Sequence, residues 1–334
     1  MRSETKKQIK SSLRLNGLMN TNAHQLKQNG VIIMRIQEGL GNQLFQYALG
    51  KQLSIIHKRP LVLDIGHFTQ TDPDPRQGIR IYCLEHFNIQ ARIAEPEDMA
   101  PFQKYFINNL YSKVWYRTGR LVKYYKRSCI IEPPEKSWVF DPNLLTGSLK
   151  ANVYLVGYWQ TEKYFTSIEN IIRNDFILKD VSDEVNRKML AEIDSDSLSS
   201  VCIHVRHGDN ATPKASQHGI LPLSYYYKAI EDLIKTVKSP HFYVFSDDTE
   251  WAKESLRLDF PSTFVSHNGD EKNYEDLRLM SYCKHHIIGN STFSWWGAWL
   301  GKKPGQLVYA PKRYFLHTDP PLDLYPASWK LIET

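Results

Sequence analysis

The first strongly patterned stretch of the chain predicts a strand, a helix and a second strand. In "GVIIMRIQEGLGNQLFQYALGKQLSIIHKRPLVLD", a β-branched run covers Val31 to Ile36 and is followed by a turn at Gly39 and Gly41. A helical pattern begins at Asn42, and a second apolar run occupies Leu61 to Leu63. This order predicts a βαβ unit with two parallel strands.

A second series of short apolar runs lies in the C-terminal half. The runs read "SVCIHV", "HFYVFSDD", "STFVSH", "KHHIIGNS" and "GQLVYAP", and helical patterns such as "LSYYYKAIEDLIKTVK" and "DTEWAKESLRL" separate them. This alternation favours a parallel sheet with helices on both faces. Residues 100–180 are irregular and aromatic-rich, so we expect a domain boundary between residues 160 and 180.

Length and charge narrow the classes of function. With 334 residues, of which 42% are hydrophobic, the chain exceeds one ordinary domain and predicts two. The net charge of +6 suggests a polyanionic partner, but residues 1–30 hold six Lys or Arg against one Glu. That segment therefore reads as a disordered basic tail, and no nucleic-acid partner is expected for the nearly neutral remainder.

The apolar runs are too short for a membrane span, and the basic tail lacks the continuous hydrophobic segment of a signal peptide. The four cysteines lie far apart with no CxxC pair, which argues against a zinc ribbon or a dithiol redox site. We expect a soluble cytoplasmic protein in which Cys202 and Cys283 are core thiols.

The glycine turn "QEGLGNQL" is a candidate ligand contact. A glycine turn between a strand and a helix lets the backbone approach a phosphate or a sugar at the helix N-terminus. The turn lacks the third glycine of the dinucleotide fingerprint, and a tight turn without a ligand is an equal alternative.

The motif "HVRHGDN" places ionisable groups at the end of a strand. Strand alternation puts His204 and Arg206 on one face at the carboxyl end, where doubly wound sheets bind ligands. A guanidinium there suits a diphosphate and can neutralise a leaving group without a metal. The alternative is a structural ion pair between Arg206 and Asp209.

Two acidic motifs are candidate metal sites. Asp247 and Asp248 end "FYVFSDD", and Asp72 begins "DPDP". The first pair equally suits a cap for the helix that follows, and the prolines make the second a surface turn. We therefore predict no metal.

The motif "GNSTFSWWGAWL" combines hydroxyls with tryptophans. Hydroxyls and amides at a helix start can hold a phosphate, which assigns Ser291 and Thr292 to a ligand. Trp295, Trp296 and Trp299 share one face and are predicted to anchor the helix in the core.

Together, "GLGNQLFQYA", "HVRHGD", "FSDD" and "NSTFSWWGAWL" resemble the α-1,2-fucosyltransferases of glycosyltransferase family 11, especially bacterial members, from Val31 to Pro311. The resemblance implies a GT-B fold, with an acceptor-side Rossmann-like domain at 31–170 facing a GDP-fucose-binding one at 171–334 across a cleft. It also implies GDP-β-L-fucose as donor, no cofactor or required metal, and inversion to an α-1,2 linkage on a terminal galactose.

The resemblance also implies roles for single residues. Arg206 would bind the donor diphosphate and His204 would lie beside the nucleotide. Asp276 matches a guanine-binding aspartate of the related α-1,6-fucosyltransferases, in keeping with the adjacent N–H groups of guanine. Second phosphate contacts would come from Ser291, Thr292 and Phe293. Residues facing the fucose and the acceptor from the other domain would be Gly39, Gly41, Asn42 and Gln43.

The sequence departs from the family at two positions. His207 stands where the family has a second arginine, and Asn210 stands where it has an aromatic residue. No general base is singled out, and His207 and Asp209 are the nearest candidates. A loose transition state would need little base assistance before late proton loss.

The sequence also allows other functions. A fucosyltransferase of another linkage, α-1,6 or protein O-fucosyl, is the main alternative, and a nicotinamide-dependent oxidoreductase or a sugar-binding module are others. The segment Phe102 to Arg127 holds seven Lys or Arg and eight aromatics without an acid. Such a segment suits contact with the inner face of a membrane, where lipid-linked acceptors reside, or a solvated basic helix.

Overall fold

The computed structural model describes residues 30–69, 80–106, 123–133, 136, 138–180, 182–195, 199–208, 219–315 and 319–334. Several features of the sequence therefore lie outside the described residues. These are residues 1–29 of the basic tail, Asp72, Asp209, Asn210, and residues 107–122 of the segment Phe102 to Arg127.

Two parallel sheets form the framework of the protein. Their strand orders are β3-β2-β1-β5-β4 and β11-β10-β9-β6-β7-β8. The first sheet consists of β1 (Ile32–Arg35), β2 (Leu61–Asp64), β3 (Arg92–Ile93), β4 (Cys129–Ile131) and β5 (Val153–Val156). The second consists of β6 (Ser199–Val205), β7 (Pro240–Ser246), β8 (Ser262–Val265), β9 (His285–Ile287), β10 (Val308–Pro311) and β11 (Lys330–Ile332).

Helices connect the strands of each sheet. In the first half they are α1 (Leu40–His57), α2 (Pro96–Met99), α3 (Gln103–Phe106), α4 (Pro142–Thr146) and α5 (Glu169–Asp175). In the second half they are α6 (Glu184–Ile193), α7 (Leu223–Thr236), α8 (Thr249–Ser255), α9 (Asn273–Tyr282) and α10 (Thr292–Leu300). The predicted α/β fold of two Rossmann-like domains, the GT-B architecture, is confirmed.

The predicted βαβ unit is confirmed in β1, α1 and β2. Ile32 pairs with Leu61 in parallel register, and both strands are buried through their first three residues. Parallel strands that are covered on both faces consist of continuous apolar runs, and these runs made the two strands predictable from the sequence. Helix α1 begins at Leu40, two residues earlier than predicted, because Gly39 is the extended residue that precedes it.

Helix α10 packs against helix α1 of the other half of the chain. Its Trp295 and Trp296 rings lie 4.6 and 4.8 Å from the ring of Phe45. The indole N–H of Trp296 also donates to the backbone oxygen of Gly41 at 3.0 Å. The tryptophans are buried as predicted, in a core that the two domains share.

All four cysteines are buried and unpaired, including the predicted core thiols Cys202 and Cys283. Among the described helices, none has the length and apolar character needed to cross a bilayer.

Candidate functional site

Arg206 and Ser291 meet at the N-terminus of α10. Arg206 directly follows β6, and Ser291 follows the adjacent strand β9, so both leave the carboxyl edge of the second sheet. The Arg206 Nη1 atom lies 3.1 Å from the Ser291 Oγ atom. Ser291 in turn caps α10 by accepting a hydrogen bond from the Phe293 N–H.

This arrangement is suited to an anion. The N–H groups at the start of a helix carry partial positive charge, and the adjacent guanidinium adds a full charge with a planar pair of donors. The structure thus brings together four of the residues predicted to contact phosphate, Arg206, Ser291, Thr292 and Phe293.

His204 lies buried on β6 behind this anion site. Burial lowers its pKa to about 4, although the charge of Asp247 acts in the opposite direction. The imidazole is therefore neutral near pH 7. Its Nδ1 atom has no hydrogen-bond partner among the described residues and faces Gly289, in the loop between β9 and α10.

His207 is held against α8. Its ring stacks on Trp251 with centroids 3.9 Å apart, and its Nδ1 atom lies 2.9 Å from Asp248 Oδ2. The Asp248 carboxylate also caps α8 through the Trp251 N–H, as the sequence suggested. Asp247 instead accepts the backbone N–H groups of His207 and Gly208, and so fixes the turn after Arg206.

The glycine turn approaches α10 from the first domain. A Cβ atom built on Gly41 would lie 2.5 Å from the Phe293 nitrogen and 2.6 Å from Thr292 Oγ1. The close approach that glycine permits here is therefore between two parts of the protein's own backbone. Gly39 is open by comparison, because its nearest neighbour would be Arg80 Nη1 at 3.8 Å.

Asn42 and Gln43 have different surroundings. The Asn42 Oδ1 atom accepts hydrogen bonds from Thr292 Oγ1 at 3.2 Å and from Gln160 Nε2 at 2.7 Å, so it joins the turn to the anion site. Gln43 is fully buried, and its amide binds the backbone of Glu38, Ile81 and Cys83. The structure does not bring Gln43 to the surface of the cleft.

Asp276 lies on α9 and is half-buried. Its Oδ1 atom accepts a hydrogen bond from Asn268 Nδ2 at 2.7 Å. Burial raises the pKa of this carboxyl to about 6, against the opposing effect of the Asn268 hydrogen bond.

Comparison with known proteins identifies the family. The sequence model of glycosyl transferase family 11 matches residues 141–315, slightly more than half of the chain and the whole of the anion site. The O-antigen biosynthesis glycosyltransferase WbnK of Escherichia coli is 32% identical over 288 residues, which cover 83% of this chain and 92% of that protein. The chain belongs to glycosyl transferase family 11.

Two further relatives are named for different sugars. An alpha-1,2-colitosyltransferase of Escherichia coli is 29% identical over 314 residues, which cover 91% of this chain and 99% of that protein. The galactoside 2-alpha-L-fucosyltransferase Sec1 of Mus musculus is 24% identical over 291 residues, which cover 85% of this chain and 67% of that protein. This family 11 glycosyltransferase is therefore similar to enzymes that form α-1,2 linkages with fucose or colitose.

A group of residues beside the glycine turn of this family 11 protein belongs to none of the sequence motifs. Trp138 Nε1 donates to Gln160 Oε1 at 2.5 Å, and Gln160 reaches Asn42. Trp138 and Trp159 both have positive φ values, 62° and 47°, and so does Glu38 beside Gly39, at 66°. Positive φ values strain the backbone of residues other than glycine, and strain of this kind is concentrated at functional sites.

The first domain also holds a partly buried carboxyl group. Glu132 directly follows β4 and accepts the backbone N–H groups of Tyr158 and Trp159 at 2.7 and 3.0 Å. Burial raises its pKa to about 7, despite these two hydrogen bonds. Its sequence context "IIEPPEK" contains no motif that would have identified it.

The pKa of Asp276 gives a prediction for this family 11 glycosyltransferase. If the carboxylate accepts two N–H groups of guanine, GDP binds the ionised form, and affinity falls as the pH drops through about 6. Between pH 7.5 and 5 the affinity for GDP should fall about tenfold, because one pH unit below the pKa leaves about a tenth of the groups ionised. Calorimetric titration at both pH values measures this. In Asp276→Asn the affinity should be low at both values, and an unchanged wild-type affinity at pH 5 would contradict the assignment.

Proposed function

We propose that this protein is an inverting α-1,2-fucosyltransferase that moves L-fucose from GDP-β-L-fucose to the 2-hydroxyl of a terminal galactose in a glycan. The observation that carries the proposal is the contact of Arg206 with Ser291 at the N-terminus of α10. It provides a positively charged site for a diphosphate, while Asp276 offers a carboxylate to the guanine. The named activities of both relatives support the α-1,2 linkage, and that of the Mus musculus relative supports fucose as the sugar.

In the proposed reaction the acceptor oxygen bonds to the anomeric carbon as the bond from that carbon to the diphosphate oxygen breaks. Negative charge accumulates on the departing GDP, where Arg206 and the amides of α10 stabilise it. The acceptor proton passes to a base or to water. His207 and Asp209 are the proposed bases, and the pairing of His207 Nδ1 with Asp248 leaves Nε2 as the nitrogen for this step.

We further propose that the reaction needs neither a metal nor another cofactor. Arg206 supplies the positive charge that a divalent ion would otherwise provide at the diphosphate. Asp247 and Asp248, which the sequence offers as candidate metal ligands, already accept backbone N–H groups.

A donor and acceptor panel tests the function. GDP-β-L-fucose and the corresponding GDP-colitose are each incubated with free and lipid-linked glycans ending in β-galactose, with and without excess EDTA. Mass spectrometry and NMR of the products should show α-1,2-linked fucose on galactose, in equal amounts under both conditions.

Other results would change the assignment in specific ways. Preferred transfer of colitose would move this protein to the activity named for its Escherichia coli relative. A product with another linkage or with a β-linked sugar would contradict the proposed regiochemistry or inversion. Loss of transfer in EDTA, restored by Mg²⁺ or Mn²⁺, would contradict metal independence.

A further inference from the structure

Asn268 binds the carboxylate of Asp276 but belongs to none of the sequence motifs. It lies in the loop that follows β8, and Asp276 lies on α9, the next helix. The Asn268 Nδ2 atom donates to Asp276 Oδ1 at 2.7 Å. Each oxygen of an ionised carboxylate can accept two hydrogen bonds, and Oδ2 has no hydrogen-bond partner among the described residues. Both oxygens of Asp276 therefore keep the capacity to accept hydrogen bonds from a ligand.

The amide of Asn268 is held in one orientation by a second buried asparagine. Asn186 of α6 donates from Nδ2 to Asn268 Oδ1 at 2.7 Å, and Asn268 Nδ2 donates to Asn186 Oδ1 at 3.1 Å. A reversed Asn268 amide would turn its oxygen towards the Asp276 carboxylate and the Asn186 oxygen, which only accept hydrogen bonds. The pair therefore directs an N–H group of Asn268 at Asp276.

Asn186 is fixed in turn at the start of α6. Its backbone nitrogen and its Nδ2 atom donate to Oδ1 of Asp183, the N-cap of that helix, at 3.0 and 3.2 Å. Its Oδ1 atom also lies 2.9 Å from His267 Nε2. A buried polar network in which every side-chain group has a partner is rigid, so this one holds the Asp276 carboxylate from a second helix.

The hydrogen bond from Asn268 favours the ionised form of Asp276. Burial raises the pKa of this carboxyl, the Asn268 N–H opposes that effect, and the negative charge of Glu275 adds to it. Glu275 is itself paired with Arg278 at 3.0 Å. The Cys202 thiol of β6 also lies near Asp276 and stays neutral, because burial raises its pKa well above the ordinary value. Loss of the Asn268 amide should therefore shift the ionisation of Asp276 to higher pH.

We propose that Asn268 is a positioning residue for the nucleotide of the donor, and that it holds the Asp276 carboxylate in place to accept the adjacent N–H groups of guanine. The inference rests on the proposed function, because it takes the donor to carry a guanine base. Asn186 contributes by fixing the Asn268 amide. Asn268 acts through Asp276 and needs no contact of its own with the nucleotide.

The test measures binding of GDP and of inosine diphosphate over a range of pH by wild type, Asn268→Ala and Asn268→Asp. Inosine diphosphate has the same phosphates but lacks the 2-amino group of guanine, so the ratio of the two affinities reports the contact with the base. A hydrogen bond to a charged group changes an equilibrium about tenfold or more, so the pH at which GDP affinity is lost should rise by about one unit in Asn268→Ala. The preference for GDP over inosine diphosphate should fall as well.

Asn268→Asp keeps the size of the side chain and replaces the donor by a carboxylate. The pH at which GDP affinity is lost should rise further in this variant than in Asn268→Ala, because the new negative charge faces Asp276. Asn143→Ala is the matched control. Asn143 donates to the Asp141 carboxylate at 2.8 Å, which is the same kind of bond in the first domain, so its loss should change neither the pH dependence nor the ratio.

Three results would overturn the inference. The first is a wild-type pH dependence and ratio in both Asn268 variants. The second is an equal loss of affinity at every pH with an unchanged ratio, since this would mean that Asn268 only supports the fold. The third is an unchanged ratio in Asp276→Asn, because Asp276 would then not bind guanine, although transfer from another donor would remain open. A wild-type protein that does not bind GDP would overturn the proposed function together with the inference.

Discussion

Replacing Arg206 by lysine should reduce turnover almost as much as replacing it by alanine, by about a hundredfold or more. Lysine keeps the charge but loses the planar pair of donors that we propose for the diphosphate, and it loses the contact from Nη1 to Ser291 Oγ. Loss of one preorganised donor at a developing anion typically costs about 3 kcal/mol, which corresponds to this change in rate. The loss should fall on turnover more than on GDP affinity, because the charge on the diphosphate grows in the transition state.

Three measurements on both Arg206 variants separate catalysis from folding. The unfolding midpoint should stay close to that of wild type, because a side chain at the edge of a sheet adds little packing. A purely structural arginine would give the reverse pattern, a lower unfolding midpoint with near-normal turnover of the folded protein. A stable Arg206→Ala enzyme with a wild-type rate would end the assignment.

Gly41→Ala should abolish most of the activity although it adds a single methyl group. The Cβ atom would lie 2.5 Å from both the Phe293 nitrogen and the Thr292 carbonyl carbon, which are backbone atoms that cannot turn aside as a side chain could. Alanine is favoured over glycine within a helix by about 1 kcal/mol, but overpacking of this kind costs about 1–3 kcal/mol, so the clash prevails. A displacement of the residues proposed to bind phosphate by about 1 Å can reduce the rate on the order of a hundredfold.

Gly39→Ala is the control for Gly41→Ala. The nearest atom to its new Cβ would be the end of the Arg80 side chain at 3.8 Å, and the backbone at Gly39 is extended, with φ near −70°. Turnover and GDP affinity of the two variants are measured side by side. Similar losses in both would indicate that the turn itself contacts the ligand, whereas normal activity in Gly41→Ala would contradict the packing argument.

The sequence predicted the strands β1, β2 and β6 to β10, because buried parallel strands are continuous apolar runs and differ sharply from the polar turns between them. The same contrast made it possible to predict Arg206, Ser291 and Thr292 as site residues, because each follows such an apolar run. The short strands β3 and β11 lacked this contrast, because most of their residues are exposed, and they were not predicted. The prediction that residues 100–180 are irregular was wrong for β4 and β5, which lie within that segment.

Residues whose surroundings depend on distant parts of the chain could not be assigned in this way. Gln43 and Asn42 are adjacent in one motif, yet one is buried under the turn and the other faces Thr292, and only the packing of α1 decides which. Gln160 and Trp138 lie in irregular segments without periodicity. Their contact with the site arises from a hydrogen bond between residues 118 positions apart.

The shared core of α1 and α10 constrains how enzymes of this kind can exchange specificities. A chimera could join the first half of one relative to the second half of another between Val156 and Ser199. Its helices α1 and α10 would then come from two parents and would have to pack in one core. In that core, Trp296 of α10 contacts Phe45 and Gly41 of α1. Recombination therefore has to inherit these three residues together, so this shared core restricts the exchange of entire domains between relatives.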